Sequence, residues 1–338
     1  MALAFRFIEE AEPGDGWSKV FAHGWKGWRK WFVKNDGFSI STTSEVESAL
    51  RRHLPKYEQT WHQLCALAGD DQVVARFLSF WMPPQYLRGC SQLALVNSSG
   101  VALIRNYDLK PSLNEATVYS TNWGGTRVIG MVDGLSGLSD GMNEHGLAVS
   151  LAFGGRPTLG RGFGAPILLR YALQTAQDTA SAIDLLRSIP CHMSYNVTVV
   201  DRTGQAATVM LAPDRPALVR DASYAANHQL GVEWPRHGRF SNTVEREKTL
   251  AELSTIPGLA AEAACGAFLR APLYSTGYAD GFGTIYTTVY RPDRMEMLLA
   301  WPDGTFRLVK FGEPMPPPVT IQYSRFGAMA ARTAHGAS

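Results

Sequence analysis

Residues 88–108 read RGCSQLALVNSSGVALIRNYD, and the predicted fold is built around this stretch. An apolar run at 93–96 is followed by the turn-forming residues Asn-Ser-Ser-Gly at 97–100, and a second apolar run begins at 101. Short apolar runs on both sides of such a turn predict a β-hairpin. We therefore expect a strand at 91–97 to pair with a strand at 101–107.

The hairpin brings charged residues close to a cysteine. Its second strand ends in Arg-Asn-Tyr-Asp, and a short turn returns that end to the start of the first strand, so Arg105 and Asp108 are expected near Cys90. A neighbouring arginine favours the thiolate form of a cysteine, or it binds a carboxylate or carbonyl of a substrate. The alternative is a buried structural cysteine beside a surface Arg/Asp pair, since free cysteine is among the most buried residue types.

The Gly89–Cys90 bond is a candidate site of internal cleavage. Cleavage there would give Cys90 a thiol and a free α-amine in one residue. An α-amine has a pKa of about 7.7–8.0, so it can act as a general base near neutral pH. Activation of a nucleophile by an N-terminal amine is a recognised form of covalent catalysis, and Asp108 could hydrogen-bond that amine.

Four blocks of sequence, in this order, resemble a known family. They are Gly89-Cys90, RNYD at 105–108, GMNEHGLAV at 141–149 and Asn227-His228. They are similar to the N-terminal nucleophile (Ntn) hydrolases, and most similar to the self-processing acyl-coenzyme A:6-aminopenicillanic acid acyltransferase family. Choloylglycine (bile salt) hydrolases, penicillin V acylases and acid ceramidases are more distant relatives. The resemblance extends from about residue 88 to residue 311.

The resemblance implies a role for each matching residue. Cys90 corresponds to the nucleophile and to the first residue of the processed large chain. Arg105 lines the site, and Asp108 orients the α-amine. Asn227 corresponds to the asparagine whose side-chain amide helps to form the oxyanion hole, where one donor typically contributes about 2.7–4 kcal/mol.

The family also has an arginine after this asparagine, on a helix that starts near a serine. Residues 241–250 are expected to form that helix, and Arg246 is the preferred candidate, with Arg239 as its competitor. The sequence departs from the family pattern at Gln229, where an aromatic residue commonly follows Asn-His. This departure bears on the acyl pocket and leaves the nucleophile unaffected.

Aromatic residues and a histidine near these blocks have simpler interpretations. Tyr107 and Trp123 are candidate substrate-binding residues, and Phe153 is a third aromatic that could line an acyl pocket, although such residues are usually part of the core. His145 is best explained by a hairpin turn with Gly146 at a positive φ angle. A site built on an N-terminal amine requires no histidine base.

The chain divides into three parts. Residues 1–89 are rich in helix formers and have few strand signals, which predicts a helical pro-segment; residues 90–311 form the catalytic domain, and the proline-rich 312–338 is a C-terminal extension that is ordered only if it docks. Strands, then helices, then strands again predict an α+β fold. The family resemblance implies a four-layer α-β-β-α sandwich. Beyond the first hairpin, strands are predicted at 126–131, 147–153, 196–201, 206–211, 284–290 and 295–300.

One predicted helix of the pro-segment has an aromatic face. Trp17, Phe21, Trp25, Trp28 and Phe32 recur at helical spacing, with lysines and arginines on the other faces. A basic aromatic helix can lie on a membrane or grip a partner, but the simpler interpretation is that it packs on the main domain, because exposure would leave a large apolar patch. Further helices are predicted at 43–53, 56–68, 71–81, 167–176, 179–189, 241–253 and 259–269.

Composition excludes several classes of function. A chain of 338 residues with 45% hydrophobic and 18% charged residues is globular and has a sizeable core. A net charge of +2 gives no reason to expect nucleic-acid binding. The four cysteines form no Cys-x-x-Cys pair, so neither a zinc site nor a disulfide framework is expected. Cys65, Cys191 and Cys265 are interpreted as small core residues.

The N-terminal sequence predicts a cytoplasmic protein. It lacks the charged start and long apolar segment of a signal peptide, and no run of about 18 apolar residues predicts a transmembrane helix. A reducing compartment also suits a free nucleophilic thiol.

Taken together, these features predict a self-processing enzyme of residues 1–89 bound to 90–338. Cys90 would attack a linear amide or thioester and pass its acyl group to water or to an amine. No cofactor or metal is expected, although acyl-coenzyme A could be a co-substrate and a higher oligomer remains open. The alternatives are a catalytically silent binding protein with the same fold, and a membrane- or partner-docking module built on the tryptophan-rich helix.

Overall fold

The structure is a computed structural model that describes residues 2–86, 89–324 and 326. Every helix predicted from the sequence is present in these ranges, with ends shifted by at most a few residues. The α-helices are α1 (Asp15–Lys34), α2 (Thr43–His53), α3 (Pro55–Leu67), α4 (Gln72–Ser79), α5 (Ala165–Thr175), α6 (Thr179–Ser188), α7 (Pro235–Phe240), α8 (Thr243–Ser254) and α9 (Ala261–Phe268).

The strands include all those that the sequence predicts, together with several that it does not. They are β1 (Ala2–Glu10), β2 (Gly89–Asn97), β3 (Gly100–Leu109), β4 (Thr117–Thr121), β5 (Val128–Asp133), β6 (Gly137–Asn143), β7 (Leu147–Phe153), β8 (Tyr195–Asp201), β9 (Ala206–Leu211), β10 (Leu218–Arg220), β11 (Tyr224–Ala225), β12 (Thr276–Gly277), β13 (Phe282–Arg291), β14 (Glu296–Ala300), β15 (Phe306–Lys310) and β16 (Val319–Gln322).

These strands form two sheets. The larger sheet has the strand order β10-β9-β8-β7-β6-β5-β4-β1-β16, and the smaller has the order β11-β2-β3-β13-β14-β15, with β12 paired to β13. Neighbouring strands are antiparallel except for β1 and β4, which are parallel. The predicted hairpin is β2–β3, and it lies in the middle of the smaller sheet.

The two sheets face each other and are covered by helices on their outer sides. The inner core contains Ile129 and Met142 of the larger sheet with Cys90 and Leu103 of the smaller. A second core joins the outer face of the larger sheet to α5, α6 and the N-terminal helices. A third joins the smaller sheet to α8 and α9. The predicted four-layer α-β-β-α sandwich is confirmed.

The N-terminal segment is not purely helical. Its residues 2–10 form β1, which pairs with β4 through Arg6–Thr117 and with β16 through Leu3–Ile321. The sequence suggested few strands here because the partners of β1 lie more than a hundred residues away. β1 and β16, which lie near the two ends of the described chain, therefore pair with each other in the larger sheet.

The aromatic face of α1 packs against the protein body. Trp17 is fully buried, and its indole nitrogen donates to the carbonyl of Leu135 at 3.1 Å. Trp25 and Trp28 both lie with ring centroids 5.4 Å from that of Phe77 on α4. The simpler interpretation of this helix is therefore the correct one. Within the described ranges, no helix is both long enough and apolar enough to cross a membrane.

Candidate active site

The register of the β2–β3 hairpin sets which residues face Cys90. Cys90 pairs directly with Tyr107, and Gly89 pairs with Asp108. Because successive side chains in a strand point to opposite faces, Arg105 and Tyr107 share the inner face with Cys90. Asp108 lies on the opposite face, toward the helices. The hairpin thus brings one charged residue to the thiol and the other to the backbone beside it.

Arg105 is the closest charged partner of the Cys90 thiol. Its Nη2 donates to the Cys90 sulfur at 3.2 Å, and its Nε donates to the carbonyl of Leu151 at 3.0 Å. Its Nη1 donates to Asp140 at 2.6 Å and lies 2.9 Å from the Tyr286 hydroxyl. The Arg105 side chain is fully buried, so these contacts fix the guanidinium in one position against the sulfur.

The surroundings of Arg105 keep it charged. Burial by itself lowers the pKa of Arg105, but the neighbouring Cys90 and Asp140 more than reverse this, so the pKa is raised above its ordinary value. A cation held against a sulfur favours the thiolate over the thiol. The geometry therefore places a positive charge where it favours a nucleophilic sulfur.

A buried carboxylate holds Arg105 from the other side. Asp140 accepts hydrogen bonds from the hydroxyls of Tyr290 at 2.6 Å and Tyr286 at 2.9 Å, and from Ser139 at 3.2 Å. Burial, and then the charge of Asp140, raise the pKa of both tyrosines well above the ordinary value. Both hydroxyls therefore stay protonated and remain donors to the carboxylate.

Asn227 binds the main chain of Cys90. Its Oδ1 accepts from the Cys90 backbone nitrogen at 3.0 Å, and its Nδ2 donates to the carbonyl of Phe153 at 3.1 Å. One partner is a donor and the other an acceptor, so the orientation of the amide is determined. Because an amide nitrogen carries two hydrogens, the bond to Phe153 leaves a second one for another acceptor.

Asp108 is held beside Gly89 by two residues. It forms a buried ion pair with Arg246 of α8 and accepts from the Thr284 hydroxyl at 2.6 Å. A side chain at Gly89 would meet the Phe282 ring, since an added Cβ would lie 2.1 Å from Phe282 Cζ. The backbone at the candidate cleavage site is therefore closely confined, and only glycine fits there without displacing its neighbours.

The structure brings most of the predicted site residues together, but not all. Cys90, Arg105, Asn227 and Tyr107 are in contact around the thiol, and the Arg105 guanidinium lies 4.6 Å from the Tyr107 ring centroid. Asp108 and Arg246 adjoin them on the other face of the sheet. Of the two candidate arginines, Arg246 is buried and Arg239 is exposed.

Three residues considered from the sequence lie elsewhere. Trp123 belongs to the outer core, where the Arg170 guanidinium stacks on its ring at 4.5 Å. The Phe153 side chain belongs to the same core, and only its carbonyl reaches Asn227. His145 lies in the turn between β6 and β7, and Gly146 has φ of 80° as expected.

Sequence reasoning did not identify the support of Arg105. Asp140, Tyr286 and Tyr290 come from β6 and β13, which are far from the hairpin in sequence. A faint signal was available, because Tyr286 and Tyr290 are separated by an even number of positions and so share one face of β13. The corresponding signal for Asp140 is that it is one of only two charged residues, with Asp133, in the stretch 128–142.

The other cysteines do not contribute to this site. Cys65, Cys191 and Cys265 are free and buried in the outer cores. Burial raises the pKa of Cys65 and of Cys191 to about 12, and that of Cys265 to about 11. These thiols are therefore unreactive near neutral pH. Among the residues that the structure describes, no cluster of His, Cys, Asp or Glu could hold a metal ion.

Three solved structures with a similar arrangement of chain are distant from this chain in sequence. A mutant conjugated bile acid hydrolase from Clostridium perfringens is 12% identical, with 69% of this chain and 97% of that chain covered and a TM-score of 0.44. Penicillin V acylase from Agrobacterium tumefaciens is 13% identical, covering 66% and 87%, also with a TM-score of 0.44. The Caenorhabditis elegans ortholog of N-acylethanolamine-hydrolyzing acid amidase is 15% identical, covering 60% and 93%, with a TM-score of 0.44.

Sequence comparison is more decisive. No curated protein sequence matches the chain significantly. The family model for acyl-coenzyme A:6-aminopenicillanic acid acyl-transferase matches residues 95–305, more than half of the chain, and includes Arg105, Asp108, Asn227 and Arg246. This match confirms the resemblance found in the sequence. The chain belongs to the acyl-coenzyme A:6-aminopenicillanic acid acyl-transferase family.

Proposed function

We propose that this protein is a self-processing N-terminal cysteine enzyme that hydrolyses a linear amide or thioester, or transfers its acyl group to an amine. Cleavage between Gly89 and Cys90 creates the mature enzyme from residues 1–89 and 90–338. The nucleophile is Cys90, and an acyl-Cys90 thioester is the intermediate. The reaction requires no organic cofactor or metal, and acyl-coenzyme A is one possible acyl donor.

The contact between Arg105 and Cys90 carries the proposal. The Arg105 guanidinium lies 3.2 Å from the Cys90 sulfur, and both side chains are fully buried. A structural cysteine has no need of a buried cation, which is costly to bury without partners. Asn227 adds to this support, because it binds the backbone nitrogen that would become the α-amine.

Self-processing begins with the attack of the Cys90 sulfur on the carbonyl carbon of Gly89. The C–S bond forms, the C–N bond to Cys90 breaks, and the proton given up by the Cys90 thiol passes to the nitrogen, which becomes the α-amine. Water then hydrolyses the Gly89 thioester and leaves a carboxylate on Gly89 and a thiol on Cys90. Arg105 stabilises the attacking thiolate, and Asn227 Oδ1 holds the nitrogen throughout.

Turnover repeats the same chemistry on a substrate. The α-amine of Cys90 accepts the thiol proton as the sulfur attacks the substrate carbonyl, and it returns a proton to the leaving amine. The second Nδ2 hydrogen of Asn227 is suited to the oxyanion. Asp108, fixed by Arg246 and Thr284, orients the amine. Water or an acceptor amine then releases the acyl group from Cys90.

The two pieces are proposed to stay together as a heterodimer. β1 pairs with both β4 and β16, and Trp17, Leu50 and Trp61 of the N-terminal segment belong to the same core as α5. Separation would expose this apolar surface to water, which is unfavourable. We also propose a cytoplasmic location, supported by four free thiols, since reducing compartments keep thiols free.

The deciding experiment is intact-mass analysis of the purified wild type beside Cys90→Ala. The wild type is expected as two chains that break between Gly89 and Cys90, and Cys90→Ala as one uncleaved chain. Cys65→Ala is the matched control, because it removes a buried thiol from the outer core and is expected to be processed normally.

A wild type that stays in one piece, while folded and reduced, would contradict the proposal. Cys90 would then lack its α-amine base, and a binding function of the fold would become the better interpretation. Cleavage of Cys90→Ala at the same bond would contradict it equally, because the cut would then come from another protease.

A further inference from the structure

The Phe282 ring closes one side of the candidate cleavage site. An added Cβ at Gly89, in the position of an L side chain, would lie 2.1 Å from Phe282 Cζ and 2.2 Å from Phe282 Cε2, and 3.1 Å from Asp108 Cβ. Both distances to the ring are far below the separation of about 3.5–4.0 Å at which carbon atoms are in contact. Phe282 therefore leaves room for a hydrogen, and for nothing larger, on this side of the Gly89 α-carbon.

The Phe282 ring is held in this position by two neighbours. The Phe240 ring of α7 lies against it with the ring centroids 4.7 Å apart and the planes at 62°. The Arg246 guanidinium lies 5.3 Å from the centroid of the ring, and Arg246 is itself fixed by its buried ion pair with Asp108. All four residues lie beyond the cleavage site in the chain, so cleavage leaves their contacts in place. The ring is therefore expected to keep its position in the mature enzyme.

In the proposed mechanism, self-processing and turnover form the same kind of thioester on the same sulfur. The acyl group of that thioester is the chain that ends at Gly89 in the first reaction, and the acyl group of the substrate in the second. The carbonyl carbon is bonded to the Cys90 sulfur in both cases, so the α-carbon beyond it takes up about the same place. The α-carbon of a substrate therefore faces the Phe282 ring, as the α-carbon of Gly89 does in the uncleaved chain.

We propose that Phe282 restricts the substrate to acyl groups with an unbranched α-carbon, that is, a CH2 group next to the carbonyl. The inference rests on the proposed function and specifies its substrate class. A CH2 group presents only hydrogen to the ring, whereas a substituent in the position of an L side chain overlaps it, and such a clash rejects a competing substrate. The same contact excludes peptide bonds that follow any L-residue other than glycine, so the mature enzyme is not a general peptidase.

The first test asks whether removal of the ring restores cleavage after a larger residue. Gly89→Ala is compared with Gly89→Ala/Phe282→Ala, and the appearance of the two chains is followed by intact mass. The double variant is expected to be processed at least about tenfold faster than Gly89→Ala, a factor within the range that relief of overpacking produces. Gly89→Ala/Tyr278→Ala is the matched control, because the Tyr278 ring lies against Gly283, where an added Cβ would be 2.0 Å from it. This control is expected to be processed as slowly as Gly89→Ala.

The second test measures the same selection on a substrate. Processed wild type is given the phenyl thioesters of N-acetylglycine and N-acetyl-L-alanine, and the release of thiophenol is followed by absorbance. The C–S bond to Cys90 forms as the C–S bond to thiophenol breaks, and the thiol proton passes through the α-amine to the leaving thiophenolate. The glycine thioester is expected to have a kcat/KM at least about tenfold higher than the alanine thioester. Phe282→Ala is expected to lose most of this difference, and Tyr278→Ala to keep it.

The outcomes separate this inference from the proposed function. A wild type that cleaves itself but accepts both thioesters equally, or does not react with the glycine thioester, would overturn the inference and leave self-processing intact. The same conclusion follows if Phe282→Ala folds but neither restores the cleavage of Gly89→Ala nor changes the ratio of the two thioesters. A wild type that never cleaves would overturn the proposed function and this inference together. The comparison of the two thioesters on the wild type decides the matter even if Phe282→Ala does not fold.

Discussion

Replacement of Asp140 by asparagine tests whether a buried carboxylate holds Arg105 in place. Asp140 is fully buried and accepts from Arg105 at 2.6 Å, from Tyr290 at 2.6 Å and from Tyr286 at 2.9 Å. Asp140→Asn keeps the shape of the side chain but removes its charge. Arg105 then retains a buried positive charge without its carboxylate partner. We therefore expect the folded state to be less stable and the guanidinium to be held less firmly against the Cys90 sulfur.

The size of the effect follows from the burial of the pair. Loss of one partner from a buried ion pair costs about 3–5 kcal/mol. With an unfolding entropy of about 2.1 cal/mol/K per residue, a chain of 338 residues is expected to lose about 4–7 °C in Tm. Self-processing is expected to slow as well, because the cation that favours the Cys90 thiolate is no longer fixed.

The assay combines thermal unfolding with the rate of appearance of the two chains by mass spectrometry. Glu144→Gln is the control, because its partner Arg127 lies 3.0 Å away at the surface, where the side chains are 28% and 49% exposed. An exposed pair contributes about 0–1 kcal/mol, so this variant is expected to behave as the wild type. Equal Tm and processing rates for Asp140→Asn and Glu144→Gln would refute the reasoning.

A milder replacement keeps the test informative if Asp140→Asn does not fold. Tyr290→Phe removes one hydrogen bond to the carboxylate and leaves the charge pair in place. A hydrogen bond to a charged group contributes about 1.5–3 kcal/mol, so Tm is expected to fall by about 2–4 °C. Processing is expected to slow less than in Asp140→Asn.

Three further predictions follow from the contacts. Gly89→Ala is expected to impair self-processing strongly, since its Cβ would overlap the Phe282 ring, and normal cleavage by intact mass would contradict this. Burial lowers the pKa of His237, so as the pH falls through about 6.5 the unfolded chain binds more protons than the folded chain, and the fold loses stability. His237→Phe is therefore expected to reduce the drop in Tm between pH 7 and pH 5. Replacement of the exposed His62 by phenylalanine is expected to leave that drop unchanged. Iodoacetamide at pH 7.5 is expected to label Cys90 alone in the cleaved protein and no thiol in the uncleaved Gly89→Ala chain, and mass spectra with further labels on the native protein would count against it.

Helix positions were readily predicted from the sequence because their signals are local. The predicted helix at 43–53 coincides with α2, whose start is fixed by Thr42 and Glu45 within one turn. The Thr42 Oγ1 accepts from the Glu45 nitrogen at 3.2 Å, and the Glu45 carboxylate accepts from the Thr42 nitrogen at 2.9 Å. Such a capping box is visible in the sequence itself.

Strand β1 was missed because its stability comes from distant partners. It pairs with β4 and β16, which begin at Thr117 and Val319. A strand in the middle of a sheet depends on its neighbours for its hydrogen bonds, and strand propensity depends strongly on that context. The aromatic periodicity of the following helix α1 was local, and it was interpreted correctly.

The β2–β3 hairpin, the position of Cys90 beside the end of β3, and the candidate site residues Arg105, Asp108, Asn227 and Arg246 could all be predicted from the sequence. These depend on short-range patterns and on ordered motifs in one chain. Only the tertiary structure decided that Arg105 faces the thiol while Asp108 faces the helices, that Asp140 supports Arg105, and that Phe282 lies against Gly89. Those relations join residues from strands and helices far apart in sequence, and close packing brings their side chains together only when the two sheets and their covering helices have assembled.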